Sequence, residues 1–177
     1  MDTRINLVVN GDPVSLVVES QWSMLRVLRE RLGLMGPKEG CGGEGECGAC
    51  TIIAGGVSVN ACLLLAVEAD GLEIQTVEGL AGPDGTLHPL QRAFIDKAAV
   101  QCGFCTPGML MSAKALLDGN LDPTEDEVRE AIAGNICRCT GYTQIVEAVL
   151  TAAAELRAAA DADGGMEGAP APAGAAV

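Results

Sequence analysis

Eight cysteines fall into two sets of four, and thiolate chemistry is the first chemistry this chain can do. The first set is Cys41, Cys47, Cys50 and Cys62, with gaps of five, two and eleven residues. The second is Cys102, Cys105, Cys137 and Cys139, with gaps of two, thirty-one and one. Four thiolates with one tight pair and a distant partner suit a tetrahedral metal or an iron–sulfur cluster. Disulfides are the competing use. The opening Met1-Asp2-Thr3-Arg4-Ile5 has no basic region followed by an apolar one, so no secretory leader is expected. The expected compartment is the reducing cytoplasm, where structural disulfides are rare.

What separates iron–sulfur from zinc in the first set is its loop. Cys41-Gly42-Gly43-Glu44-Gly45-Glu46-Cys47-Gly48-Ala49-Cys50 carries four glycines between its thiols. An iron–sulfur cluster on thiolates is anionic and is held by backbone N–H groups aimed at its sulfurs. Wrapping a loop that closely needs positive φ and no Cβ in the way, which glycine supplies. The plant-type ferredoxin spacing puts four residues in the first gap, and here there are five. We read the extra one as a bulge at Gly42-Gly43. Zinc ribbons pair two x2 knuckles, and this set has one. A structural zinc or unligated thiols stay open as alternatives.

The second set lies beside helix starts. Cys102-Gly103-Phe104-Cys105 precedes Thr106-Pro107, which reads as an N-cap with proline at the first helical position. Asn135-Ile136-Cys137-Arg138-Cys139-Thr140-Gly141-Tyr142 falls between two helical patterns. Both segments can meet at one end of a helical layer, where positive dipole ends favour an anionic cluster. A Cys-x-Cys pair diverges on a regular helix, so it requires a turn. Zinc stays open here too.

The elements that must position these loops follow from periodicity. Ile5–Val9 and Val14–Val18 read as strands joined at Asn10-Gly11-Asp12. Ser20 reads as an N-cap, with Trp22, Leu25, Leu28, Arg29 and Leu32 at helical spacing and Gly33 as the stop. Thr51–Ile53, Val57–Asn60 and Glu73–Val77 read as further strands, with a turn at Ala54-Gly55-Gly56. After the linker-like Ala81-Gly82-Pro83-Asp84-Gly85 only helices are expected. They run from Pro89 to about Ala99, from Thr106-Pro107 to Leu117, from the capping box Thr124-x-x-Glu127, and from about Thr143 to Ala159. The expected class is α+β: a sheet-and-helix domain over 1–79, a helical domain of four short helices over 80–159, and a disordered Ala/Gly/Pro-rich tail over 160–177.

Composition removes whole classes of function. A formal net charge of −13 repels phosphate backbones and anionic lipid, so neither nucleic acid nor membrane is an expected partner. The longest uncharged apolar run, Ala61 to Val67, is far too short to span a bilayer. No P-loop, dinucleotide fingerprint or nucleophile–base pair is visible, so no catalytic residue is assigned. His88 is the single histidine and reads as a loop residue fixing the start of the helix at Pro89. Glu44 and Glu46 read as solvent-facing loop positions, and Met109 and Met111 as ordinary helix residues. Arg138, between two thiols, can offset cluster charge or meet a partner.

These residues carry a family resemblance. Glu39-Gly40-Cys41, Gly45-Glu46-Cys47-Gly48-Ala49-Cys50-Thr51, Leu87-His88-Pro89-Leu90-Gln91, Gln101-Cys102-Gly103-Phe104-Cys105-Thr106-Pro107-Gly108 and Asn135 to Tyr142 are its motifs. The sequence resembles the small iron–sulfur subunit of the xanthine oxidase family of molybdenum hydroxylases, over about Ile5 to Leu156. The five-residue gap departs from the family's usual four.

The resemblance implies a plant-type [2Fe-2S] ferredoxin-like β-grasp domain followed by a four-helix bundle, each holding one [2Fe-2S] cluster. It implies a heterotrimer with a large molybdopterin subunit and an FAD subunit, doubled by a two-fold. Substrate is hydroxylated at molybdenum. Electrons then leave through the helical-domain cluster, the ferredoxin-like cluster and FAD. By motif position, Gln101 and Cys139 would lie against the pterin. The competing readings are a free-standing two-cluster ferredoxin and a zinc-stabilised adaptor without redox work.

Overall fold

The computed structural model describes residues 2–162. β1 (Asp2–Val9) and β2 (Asp12–Glu19) pair antiparallel, with Val9 opposite Asp12. Asn10 and Gly11 between them both have positive φ, 52° and 89°, the two-residue turn that an Asn-Gly pair favours. Period-two alternation turns Ile5, Leu7 and Val9 inward.

α1 (Met24–Arg26) continues as a π-helical stretch, Val27–Arg31, and lays Met24, Leu25, Val27 and Leu28 on the sheet. Ser23 caps it, its hydroxyl accepting the Arg26 N–H at 3.3 Å, rather than the expected Ser20. Trp22 stays outside the helix. Its carbonyl is taken by the Ala66 N–H at 2.8 Å and its own N–H donates to the Glu19 carbonyl at 2.9 Å. With both backbone groups so used, the helix begins later. Gly33, at φ 70°, ends it as expected.

β3 (Thr51–Ala54), β4 (Val57–Asn60) and β5 (Glu73–Gln75) complete a five-stranded sheet in the order β2-β1-β5-β3-β4. β1 and β5 run parallel; the other neighbours are antiparallel. β5 stops before the expected Val77. Thr76 turns away to Asn10, donating its N–H to Asn10 Oδ1 at 2.8 Å and accepting from Asn10 Nδ2 at 2.9 Å. All four residues of β3 are buried. Ile52 and Ala54 face the sheet core, while Ile53 belongs to the helical core.

Helices follow: α2 (Pro89–Asp96), α3 (Thr106–Gly119), α4 (Glu125–Ala131) and α5 (Thr143–Ala162). α2 ends short of Ala99 because the chain turns at Ala98, φ 52°. Thr106 is the first residue of α3, not its cap; that position falls to Cys105. Thr124 and Glu127 form the expected capping box, with bonds of 2.7 and 3.3 Å. α5 runs three residues past Ala159, to Ala162; the tail from 163 to 177 lies outside the described residues.

Leu90, Phe94, Met109, Met111, Val128, Ile145 and Val149 fill the helical core, each such burial being worth roughly 1.5–3 kcal/mol. No described helix is long and apolar enough to cross a membrane. The architecture is a sheet unit with one packed helix, joined to a helical unit.

Candidate metal centres

The first cysteine loop is held at several points. Arg29 Nη1 donates to the Pro37 carbonyl at 2.7 Å, the Lys38 N–H to the Ala49 carbonyl at 2.9 Å, and Asn60 Nδ2 to the Gly45 carbonyl at 2.7 Å. Gly42, Gly43, Gly45 and Gly48 all have positive φ, between 66° and 86°. Gly42 and Gly43 are consecutive, and a Cβ at either would meet nothing within 4 Å, which leaves room for the extra residue. Cys50 lies at the foot of β3 and Cys62 just beyond β4.

The loop presents amides to sulfur. Backbone N–H groups of Cys47 and then Glu46 pull the Cys41 thiol down to about 7, with the Cys47 thiol adding to the fall. That is the environment of a bound anion. Burial pushes Cys50 up to about 12, and the Cys62 thiol beside it adds to the rise. At a thiol so buried, a bound metal would keep the ligand as thiolate.

The second centre joins the N-terminal end of α3 to the segment before α5. The sulfurs of Cys102 and Cys139 stand 3.6 Å apart. Burial first, and then the neighbouring Cys137 thiol, raise Cys105 to about 12. At Cys137 burial works upward, but the Thr140 hydroxyl, 3.1 Å from its sulfur, and nearby amides outweigh it and leave the thiol lowered. Just after the Cys-x-Cys pair the chain turns at Gly141 and Tyr142, at φ 69° and 71°. Tyr142 Oη accepts the Cys137 N–H at 2.8 Å and locks that turn.

The thiols therefore interact in pairs: 41 with 47, 50 with 62, 102 with 139, and 105 with 137. Every thiol–thiol influence stays inside one set of four. Among the described residues no three metal-capable side chains converge on one point. A binuclear cluster takes two thiolates per iron, so paired thiols in a glycine nest fit such a group.

The two centres share a border. A cleft of about 320 Å³ is lined by Gly40 and Cys47 from the first loop and by Cys102, Phe104, Cys105 and Cys139 from the second. A Cβ at Gly40 would stand 3.0 Å from Cys47 Sγ and 3.2 Å from the Phe104 ring, so glycine permits this approach. The Ile136 N–H donates to the Cys47 carbonyl at 2.9 Å.

Other expected residues are also located. Gln101, Cys102, Cys139 and Arg138 are exposed, as are Glu44 and Glu46. His88 caps α2: its Nδ1 accepts the Leu90 N–H at 3.2 Å and its own N–H donates to Gln91 Oε1 at 3.0 Å. Sequence reasoning missed the work of Thr51, Ser112 and Asn135, which join the two units through polar side chains. The sequence carries no local signal for this, because the Asn135 partners Gly48 and Thr51 lie 87 and 84 residues away.

Comparison with known proteins agrees with this geometry. A 2Fe-2S iron-sulfur cluster binding domain model matches residues 7–81, and a [2Fe-2S] binding domain model matches residues 76–150. The chain is 53% identical over 145 residues to the nicotinate dehydrogenase small FeS subunit of Eubacterium barkeri, covering 82% of this chain and 91% of that one. It is 50% identical over 153 residues to the nicotine 6-hydroxylase small subunit of Paenarthrobacter nicotinovorans, covering 86% and 91%. Quinoline 2-oxidoreductase from Pseudomonas putida 86 has a chain that superposes with a TM-score of 0.84 at 45% identity, covering 89% of this chain and 97% of that one.

Proposed function

We propose a place in an electron path for this chain, which belongs to the small iron–sulfur subunits of the xanthine oxidase family of molybdenum hydroxylases. It is the electron-transfer subunit of a multi-subunit oxidoreductase. Cys41, Cys47, Cys50 and Cys62 hold one [2Fe-2S] cluster; Cys102, Cys105, Cys137 and Cys139 hold the other. The bound clusters supply one-electron exchange, carrying reducing equivalents from a molybdopterin subunit through the helical unit, then the sheet unit, to an FAD subunit.

One observation carries that order. Of the two cysteine sets, only the second has exposed members, Cys102 and Cys139, while Cys47 of the first lines the same cleft and is half-buried. The helical unit's side of that cleft, where Cys102 and Cys139 are exposed, is therefore where a donor can reach a thiolate. Gln101, also exposed, directly precedes Cys102, and its amide can pair with a pterin edge while Cys139 meets the same group. The amides of Cys47 and Glu46 steady an anion at Cys41, and Gly40 lets the Phe104 ring approach the first loop. We read 1–79 as the ferredoxin-like β-grasp domain and α2 to α5 as the bundle. The assembly is a heterotrimer, paired by a two-fold, in the cytoplasm.

Native purification tests this reading. The chain should elute with a molybdopterin subunit and an FAD subunit, and carry iron with labile sulfide and two distinct paramagnetic signals on reduction. A free monomer with both signals would favour a two-cluster ferredoxin. Zinc in place of iron would sink the proposal.

A further inference from the structure

The junction between the units is a polar knot whose centre is Asn135. Its side chain is 3% exposed and both ends are used. Nδ2 donates to the Gly48 carbonyl at 2.8 Å and to Thr51 Oγ1 at 3.2 Å. Oδ1 accepts the Ser112 hydroxyl at 2.6 Å. The Gly48 carbonyl is held again by Thr51, through its hydroxyl at 2.7 Å and its N–H at 3.1 Å.

The positions of these partners matter more than their number. Gly48 lies between Cys47 and Cys50. Asn135 lies two residues before Cys137. Ser112 stands on α3, the helix that begins directly after Cys105. One amide thus touches all three segments that carry the cysteines facing each other across the junction. Steric contact agrees. A Cβ on Gly48 would come within 2.3 Å of the Gly134 carbonyl, and one on Gly108 within 2.1 Å of the Gly48 carbonyl. The backbones touch, and the amide ties them where they touch. An apolar residue could fill this volume, but it would leave one of the Gly48 carbonyl's donors unreplaced and the Ser112 hydroxyl without its acceptor.

We propose that Asn135 is a positioning residue that fixes the separation and mutual orientation of the two cysteine loops, and thereby the electronic coupling between the centres they hold. Tunnelling and magnetic coupling both fall steeply with separation. This inference rests on both sets holding [2Fe-2S] clusters.

The test is low-temperature electron paramagnetic resonance of the fully reduced holo-complex, in which two neighbouring half-integer spins split each other's lines. Asn135→Asp keeps the shape but replaces the donor with an oxygen facing the Gly48 carbonyl oxygen. Its splitting should narrow or vanish while iron and labile sulfide stay at the wild-type level. Thr51→Val, which removes one acceptor and one donor from the knot, should narrow it less. Ser112→Ala leaves both donor contacts of Asn135 and should keep the splitting. An Asn135→Asp complex with wild-type splitting overturns the inference. So does loss of a cluster in both Asn135→Asp and Thr51→Val, which would mark the knot as support for the fold alone. A wild-type complex without two cluster signals would instead sink the reading of the cysteines.

Discussion

The first cysteine set draws three of its members from ten consecutive residues, Cys41 to Cys50, whereas the second joins segments separated by thirty-one residues. The first is shaped by positive-φ glycines that bare amides to sulfur. The second is shaped by where helices begin, with a tyrosine hydroxyl locking its turn. A glycine nest depends first on local backbone conformation. A site between helix ends exists only while the helical core holds its parts together. The same cofactor class can therefore be lost by unrelated routes in the two units.

The sharpest way to separate them is Cys102→Ser. It should remove the helical unit's cluster, halve the iron and labile sulfide, and stop electron flow from molybdenum while sparing the first cluster's paramagnetic signal. Loss of the other signal instead would show that the thiols are grouped wrongly.

Next comes a pair of glycine substitutions in one loop. Gly48→Ala meets both a positive φ of 66° and the Gly134 carbonyl at 2.3 Å. It should cost roughly 3 kcal/mol or more and disturb both units. Gly42→Ala meets a φ of 72° but open space, and should cost only about 1–2 kcal/mol. Denaturant unfolding of the two variants checks the difference; equal losses would mean that the junction contact carries no weight.

The smallest effect is expected at His88, far from either centre. Burial first, and then the Lys114 charge, lower its pKa below the ordinary 6.5. The folded chain thus prefers the neutral ring, whose Nδ1 accepts the Leu90 N–H. The unfolded chain binds the proton more readily, so stability is fully present above about pH 6.5 and declines as pH falls toward the depressed folded value. His88→Ala should cost about 1 kcal/mol at neutral pH. His88→Asn keeps a capping oxygen and should flatten the change in Tm between about pH 7.5 and 5.5.

Much of this was legible in the sequence, because local chemistry writes itself locally. The hairpin at Asn10-Gly11, the Thr124 capping box, His88 before Pro89 and the glycines around Cys41 are all fixed within four or five residues. The misses were decided by distant partners. The start of α1 depends on Ala66 taking the Trp22 carbonyl, and the end of β5 on Asn10 recruiting Thr76. The role of Asn135 was invisible for the same reason. Its partners Gly48 and Thr51 lie 87 and 84 residues away along the chain.

β3 has a consequence for any attempt to divide the molecule. Ile52 and Ala54 pack into one core and Ile53 into the other, so a single strand is structural property of both halves. Severing the chain in the linker-like stretch Ala81 to Gly85 and expressing the first half alone would strip cover from a β-branched, apolar segment. The fragment should self-associate, and the two halves should melt as one cooperative unit when left intact.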